Sequence, residues 1–249
     1  MEICSYFVRE RNVLLGRAQF SDLIADLILH LGDHGIALKN DHLELFKQAL
    51  AAFTLHCASR PLREHISWTL NFQRPLVNLF LVADTSEGNV TGRVFTENVK
   101  KADQNSFYQE IISGNKPLVQ SFVNFTGSDP LLAAEQYYER SEQRPARFFQ
   151  LGEEDYAIVS AHPDYDEDWF QSLELADVRK LASEEELSLL EKRSYRWHCG
   201  CNLEKIYSVM ANLIQADLDG VFQNDPTVTV NCPRCAAQYT LERTVIDSL

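Results

Sequence analysis

The chain has 249 residues, 36 acidic and 23 basic side chains, and a formal net charge of −13. Hydrophobic residues make up 45% and charged residues 24%, the ordinary range of a folded globular protein, which excludes global disorder. No run approaches the roughly 18–20 apolar residues that cross a bilayer, and no segment is basic enough to draw phosphates, so neither membrane nor nucleic acid is an expected partner.

The negative charge is local. Residues 151–198 hold 13 acidic and 5 basic side chains, whereas residues 1–150 hold 17 and 15. The N-terminus has no basic segment followed by a long apolar core, so no secretory leader is expected and a cytoplasmic, reducing compartment is the default.

Along the first 160 residues, strand-like and helix-like patterns alternate. Asn12 to Phe20 reads as a strand, and Ser21 is placed to cap a helix ending near Gly32, with Leu23, Ile24, Leu27, Ile28 and Leu31 at helical spacing. A second helix is expected from Asp41 to Cys57, striped by Leu43, Phe46, Ala49, Leu50, Phe53 and Cys57. Ile66–Phe72 and Val77–Ala83 alternate as paired strands about a turn at Arg74-Pro75. Gly92–Thr96 and Leu118–Phe125 are further strand candidates. Asp129-Pro130 combines a good N-cap with a residue suited to the first helical position. Phe148–Leu151 and Tyr156–Ala161 read as a hairpin about Gly152–Asp155.

After His162-Pro163 the composition changes. Asp164–Asp168 is acidic and expected to be solvated, and helical patterns follow through Leu173, Leu175, Val178 and Leu181. A further helix is expected over Ser183–Leu190, where Ser183 and Glu186 match a capping box. From Tyr195 a small unit begins, with a helix through Leu203, Ile206, Tyr207, Met210 and Leu213. A helical turn near Asp217–Phe222, short strands at Thr227–Val230 and Gln238–Leu241, and a last helical turn complete it. The expected class is α+β: a mixed α/β core domain (1–162), an acidic helical linker (163–197) and a small C-terminal zinc-binding domain (198–249).

The chemistry lies in the cysteines. Cys4 and Cys57 are isolated, and Cys57 falls on the apolar stripe of its helix, as a small buried hydrophobe would. Cys199-Gly-Cys201 and Cys232-Pro-Arg-Cys235 are separated by 30 residues. Two such pairs in a unit too small for a good apolar core point to one Zn²⁺ held by four thiolates, with Cys199, Cys201, Cys232 and Cys235 as ligands. His198 beside the first pair is a flanking residue, since four sulfurs fill the shell. A closed four-thiolate site is structural by default, but thiolates are also the oxidisable form of cysteine, so the same site can sense oxidant. Spacing leaves both readings open. Two others use the same residues: a dithiol oxidoreductase motif, which normally sits near the start of a βαβ unit, and a nucleic-acid-binding zinc ribbon, opposed by the unit's negative charge. The seven histidines form no triad or metal spacing and no phosphate-cradling glycine loop occurs, so a conventional enzyme is not expected.

The C-x-C, about thirty residues, C-x-x-C arrangement resembles the zinc motif of the 33-kDa chaperonin family of redox-regulated chaperones. Tyr137-Tyr-Glu-Arg-Ser-Glu-Gln143 is similar to that family's helix ending in Ser-Glu-Gln, and Trp68 to Phe95 to its Pro-containing strand pair. The chain is short for the family, with a trimmed segment between core and zinc site and Phe72-Gln-Arg-Pro75 in place of a Gly-rich turn. The resemblance implies an ATP-independent cytoplasmic holdase, zinc-bound and idle when reduced. Oxidation converts the ligands to the disulfides Cys199–Cys201 and Cys232–Cys235, zinc leaves, the linker unfolds, unfolded client proteins bind, and a homodimer forms. The alternative is a zinc-stabilised chaperone-like or interaction protein without a redox switch, and the third reading a thiol-disulfide oxidoreductase.

Overall fold

The structure is a computed structural model describing residues 1–114, 116–223 and 225–246. Of residues 212, 213, 215 and 246 only the backbone is described, so the expected packing of Leu213 lies outside it. The longest helix, α2 (Asn40–Ala58), is buried on every side of its second half, from Ala49 to Ala58. The single stripe read from the sequence therefore understates it. A helix buried all round must lie between two layers, and here the layers are two sheets.

The first sheet has five strands in the order β10 (Leu187–Ser194), β1 (Glu2–Val8), β2 (Val13–Gln19), β9 (Asp155–Ala161) and β8 (Ala146–Gln150), all antiparallel. The second has six, in the order β11 (Arg196–Trp197), β5 (Asn89–Phe95), β4 (Leu76–Asp84), β3 (His65–Gln73), β6 (Asn105–Ile112) and β7 (Val119–Phe125). It is antiparallel except that β11 runs parallel to β5. Strict alternation in β3 and β4 turns Ile66, Trp68, Leu70 and Phe72, with Val77, Leu79, Leu81 and Ala83, toward the core. The other face of this pair is half-buried. Helix α1 (Ser21–Asp33) joins the same core through Leu23, Ile24 and Leu27. Ser21 does not cap it: the capping position is Phe20, and the Ser21 hydroxyl accepts from Gln19 instead. Asp129 does cap α3 (Pro130–Tyr137), accepting from the Leu131 amide at 2.7 Å.

The Tyr137–Gln143 motif closes this core. Tyr138 shares a 2.7 Å hydrogen bond with buried His56 of α2. Tyr137 donates to Glu142, which also receives Arg60 from the end of α2. Gln109 bridges Tyr137 to the Trp68 indole.

The middle of the five-stranded sheet is buried on both faces. In β9, Tyr156 and Ile158 face α2 while Ala157, Val159 and Ala161 face away. The outer face is covered by residues 163–184: Phe170 of α4 (Glu167–Ser172), Leu173, and Val178 and Leu181 of α5 (Leu175–Glu184). Part of the helical expectation for this segment is corrected. Helix α5 ends at Glu184 with a capping box of Glu174 and Asp177, and the further helix expected to start at Ser183 with Glu186 does not form. Leu187–Ser194 is a strand, because it completes the edge of the sheet against β1. The acidic turn is not simply solvated either: Asp166 caps α4 and pairs with Arg11 at 2.8 Å.

The C-terminal unit has its own small core. Helices α6 (Leu203–Ala216) and α7 (Leu218–Phe222), the ribbon β12 (Thr227–Asn231) and β13 (Gln238–Glu242), and α8 (Arg243–Ile246) gather Ile206, Ile214, Phe222, Ala237 and Leu241 around the two buried cysteines.

Candidate metal centre

Two backbone devices aim four sulfurs at one point. Gly200 takes φ +68°, a conformation open to glycine at little cost, which lets Cys199 and Cys201 turn inward from adjacent positions. The second pair lies in the turn joining β12 to β13. There the Cys232 amide donates to Ala237 at 2.8 Å and the Ala236 amide returns to Cys232 at 3.0 Å. The four Sγ atoms lie within 4.8 Å of one another, with Cys199 to Cys232 at 3.7 Å and Cys201 to Cys235 at 3.5 Å. A tetrahedral ion with bonds of about 2.3 Å sets its sulfurs about 3.8 Å apart, so this donor set fits one such ion. Cys232 and Cys235 are buried and the other two half-buried.

The electrostatics also call for a cation. Hydrogen bonding from Cys199 and Cys235 holds Cys232 well below the usual thiol range, while the contact with Cys232 pushes Cys199 up to about 12 and contacts with Cys199 and Cys232 raise Cys235. Four adjacent sulfurs cannot all be anionic unless a positive ion neutralises them, and a bound metal does this outright. The Tyr239 hydroxyl adds a donor 3.1 Å from Cys201 Sγ.

The remaining sequence candidates fall elsewhere. His198 is not in the four-sulfur group. Cys57 is fully buried and its thiol is pushed up by desolvation, which makes it inert, whereas Cys4 is half-exposed. The C-x-x-C pair sits inside a β-ribbon, not at the strand-to-helix junction of a dithiol oxidoreductase.

Sequence reasoning missed the residues that seat this unit on the core. His30 of α1 places Nε2 2.9 Å from the Cys235 carbonyl, and Arg93 of β5 donates to the Cys232 carbonyl at 3.0 Å. Trp197 packs between His30 and Phe46. Arg11 likewise ties the linker down through Asp166 and Glu185. These partners are more than a hundred residues apart in sequence, and no local pattern marks them.

The comparisons agree with this geometry. Residues 154–242 match the family model described as Hsp33 protein. A 33 kDa chaperonin of Nitrosococcus oceani is 22% identical over 151 residues, 52% of each chain, and one of Methylobacillus flagellatus is 24% identical over 159 residues, 55% of this chain and 54% of that one. This chain thus spans about half the length of these curated relatives in alignment. The crystal structure of a 33 kDa chaperonin (heat shock protein 33 homolog) from Thermotoga maritima has the same fold, with a TM-score of 0.76 at 16% identity over 99% of this chain and 96% of that one.

Proposed function

Because the chain belongs to the 33-kDa chaperonin family, we propose that it is a redox-regulated, ATP-independent holdase that binds unfolding proteins in the oxidised state. The reduced protein holds one Zn²⁺ on Cys199, Cys201, Cys232 and Cys235. Two molecules of hydrogen peroxide and four protons convert the zinc tetrathiolate into two disulfides, free Zn²⁺ and four waters. The disulfides join Cys199 to Cys201 and Cys232 to Cys235, within each pair. The chain divides functionally into the core 1–162, the linker 163–197 and the metal unit 198–249. It works in the cytoplasm, forms a homodimer when oxidised, and acts by holding clients rather than by catalysis.

The observation that carries this reading is a juxtaposition. The four-sulfur cluster directly follows a segment whose helices cover one apolar face of the five-stranded sheet. Structural zinc is worth about 10–16 kcal/mol in small domains, so its loss removes the support of the unit that ends the linker. The linker is also strongly acidic, so its compact form opposes its own charge, with screening over a Debye length of about 8 Å at physiological salt. Its release bares an apolar surface on Val8, Val13, Leu15, Phe149, Val159 and neighbours for unfolded chains to bind.

One observation favours the reading without a switch. Strand β10, the second half of the linker, pairs with β1 along its length, and the N-terminal amine donates to the Tyr195 carbonyl at 2.9 Å. Release in the proposed mechanism is therefore concentrated in residues 163–186. Peroxide treatment followed by limited proteolysis tests this. Cleavage within 163–186 that appears together with zinc release supports the switch, and unchanged cleavage despite zinc loss refutes it.

A further inference from the structure

Arg93 stands apart from the other arginines of this acidic chain. It projects from core strand β5 and is half-buried, with its guanidinium 4.1 Å from the Phe95 ring centroid. Its Nε atom is buried without a hydrogen-bond partner. Among the described residues no carboxylate pairs with it; its one hydrogen bond goes to the carbonyl of Cys232 at 3.0 Å, which places it against the buried side of the four-sulfur group. A half-buried guanidinium is costly without an anion. The thiolate cluster across the interface is the anion it has.

We propose that Arg93 is a positioning residue that reads the charge of the metal centre and ties the docking of the C-terminal unit to its redox state. The proposal rests on the zinc-thiolate reading above. Four thiolates and one Zn²⁺ carry a net charge of −2, which Arg93 partly balances across the interface. Oxidation by two hydrogen peroxide molecules, with four protons taken up, leaves two neutral disulfides and releases Zn²⁺ and four waters. Arg93 then faces an uncharged surface, keeps its desolvation cost and loses its compensation, so the docked state is disfavoured from the core side as well. His30 holds the neighbouring Cys235 carbonyl but carries no obligatory charge, so it seats the unit without reading it.

The test uses the full chain. The Arg196 and His198 amides donate to Gly88 and Val90, both at 2.9 Å, and join the start of the metal unit to the core, so their hydrogen exchange reports docking. In zinc-loaded wild-type protein both amides are protected, and peroxide exposes them. In reduced Arg93→Gln both exchange about tenfold or more faster than in the reduced wild type, with zinc still at one per chain, and peroxide adds little. Arg93→Lys keeps the charge and retains most of the protection, which separates charge from packing and covers a misfolded glutamine variant. Wild-type protection of Arg93→Gln in a zinc-binding protein overturns this proposal alone, as does persistent protection of the oxidised wild type. Loss of zinc from Arg93→Gln makes Arg93 part of the metal-holding apparatus and also overturns it. A wild-type chain that binds no zinc overturns the metal reading and this proposal with it.

Discussion

Phe170→Ala separates the linker from the metal. Phe170 is the buried residue of the six-residue helix α4, with 1% of its surface exposed, and its ring meets Tyr165 edge-on at 5.4 Å. Truncating a buried phenylalanine costs about 3–5 kcal/mol, from lost transfer energy and the cavity left behind. What else holds this segment is weaker. The Asp166 cap is worth about 1 kcal/mol, and the half-exposed Arg11–Asp166 pair about 0–1 kcal/mol. The loss outweighs these polar contacts and leaves buried Leu173 as the main remaining anchor, so residues 163–172 are expected to open more readily in the reduced protein while the metal unit, whose core is separate, stays intact. The assay combines limited proteolysis, zinc content and suppression of client aggregation, all without oxidant. Cleavage near α4 with one zinc per chain and constitutive client holding is expected. A wild-type cleavage pattern refutes the estimate of what holds α4, and cleavage without client holding refutes the covered sheet face as the client surface.

Disulfide mapping of the oxidised chain is expected to recover Cys199–Cys201 and Cys232–Cys235. In the reduced protein the cross pairs Cys199–Cys232 and Cys201–Cys235 lie at 3.7 and 3.5 Å, so the within-pair bonds require the sulfurs to rearrange, and Cys199–Cys232 in the map contradicts the proposed chemistry. Burial holds His56 well below the ordinary imidazole range, and the charges of Arg60 and Arg144 lower it further. The unfolded chain takes up this proton near pH 6.5 and the folded one does not, so the stability linked to His56 is present above that value and lost as pH falls. Wild-type stability should therefore drop about 1.4 kcal/mol per pH unit more steeply than that of His56→Gln below pH 6.5; parallel denaturation curves contradict this. Gly88 takes φ +62° and a Cβ there would lie 2.1 Å from the Ser194 carbonyl oxygen. Gly88→Ala is expected to cost more than about 1 kcal/mol, or about 2–4 °C in Tm per kcal/mol, and an unchanged melting curve refutes the close approach of the β4–β5 turn to the end of β10.

What could be read from the sequence was what local chemistry decides. Asp129-Pro130 caps its helix, β3 and β4 alternate cleanly, and two cysteine pairs in a small unit converge. What escaped was decided by distant partners. Strand β6 turns Phe107, Gln109 and Ile111 inward, and the buried glutamine, satisfied by Trp68 and Tyr137, interrupts the apolar alternation that would have marked it. Strand β1 does not alternate in burial at all. Strand β10 is an exposed, Glu- and Leu-containing edge whose local propensity reads as helix, and pairing with β1 overrides it. The seating of the metal unit by His30 and Arg93 joins positions with no periodic or motif relation.

The central claim is that loss of metal and gain of client binding are one event. Zinc release and suppression of client aggregation should be followed in the same sample during titration with peroxide, starting from reduced, zinc-loaded protein. Activity that rises in step with zinc release, and reverses when reductant and zinc are restored, is the expected result. Equal client holding before and after zinc release would contradict the switch and leave the cysteine cluster as a structural staple.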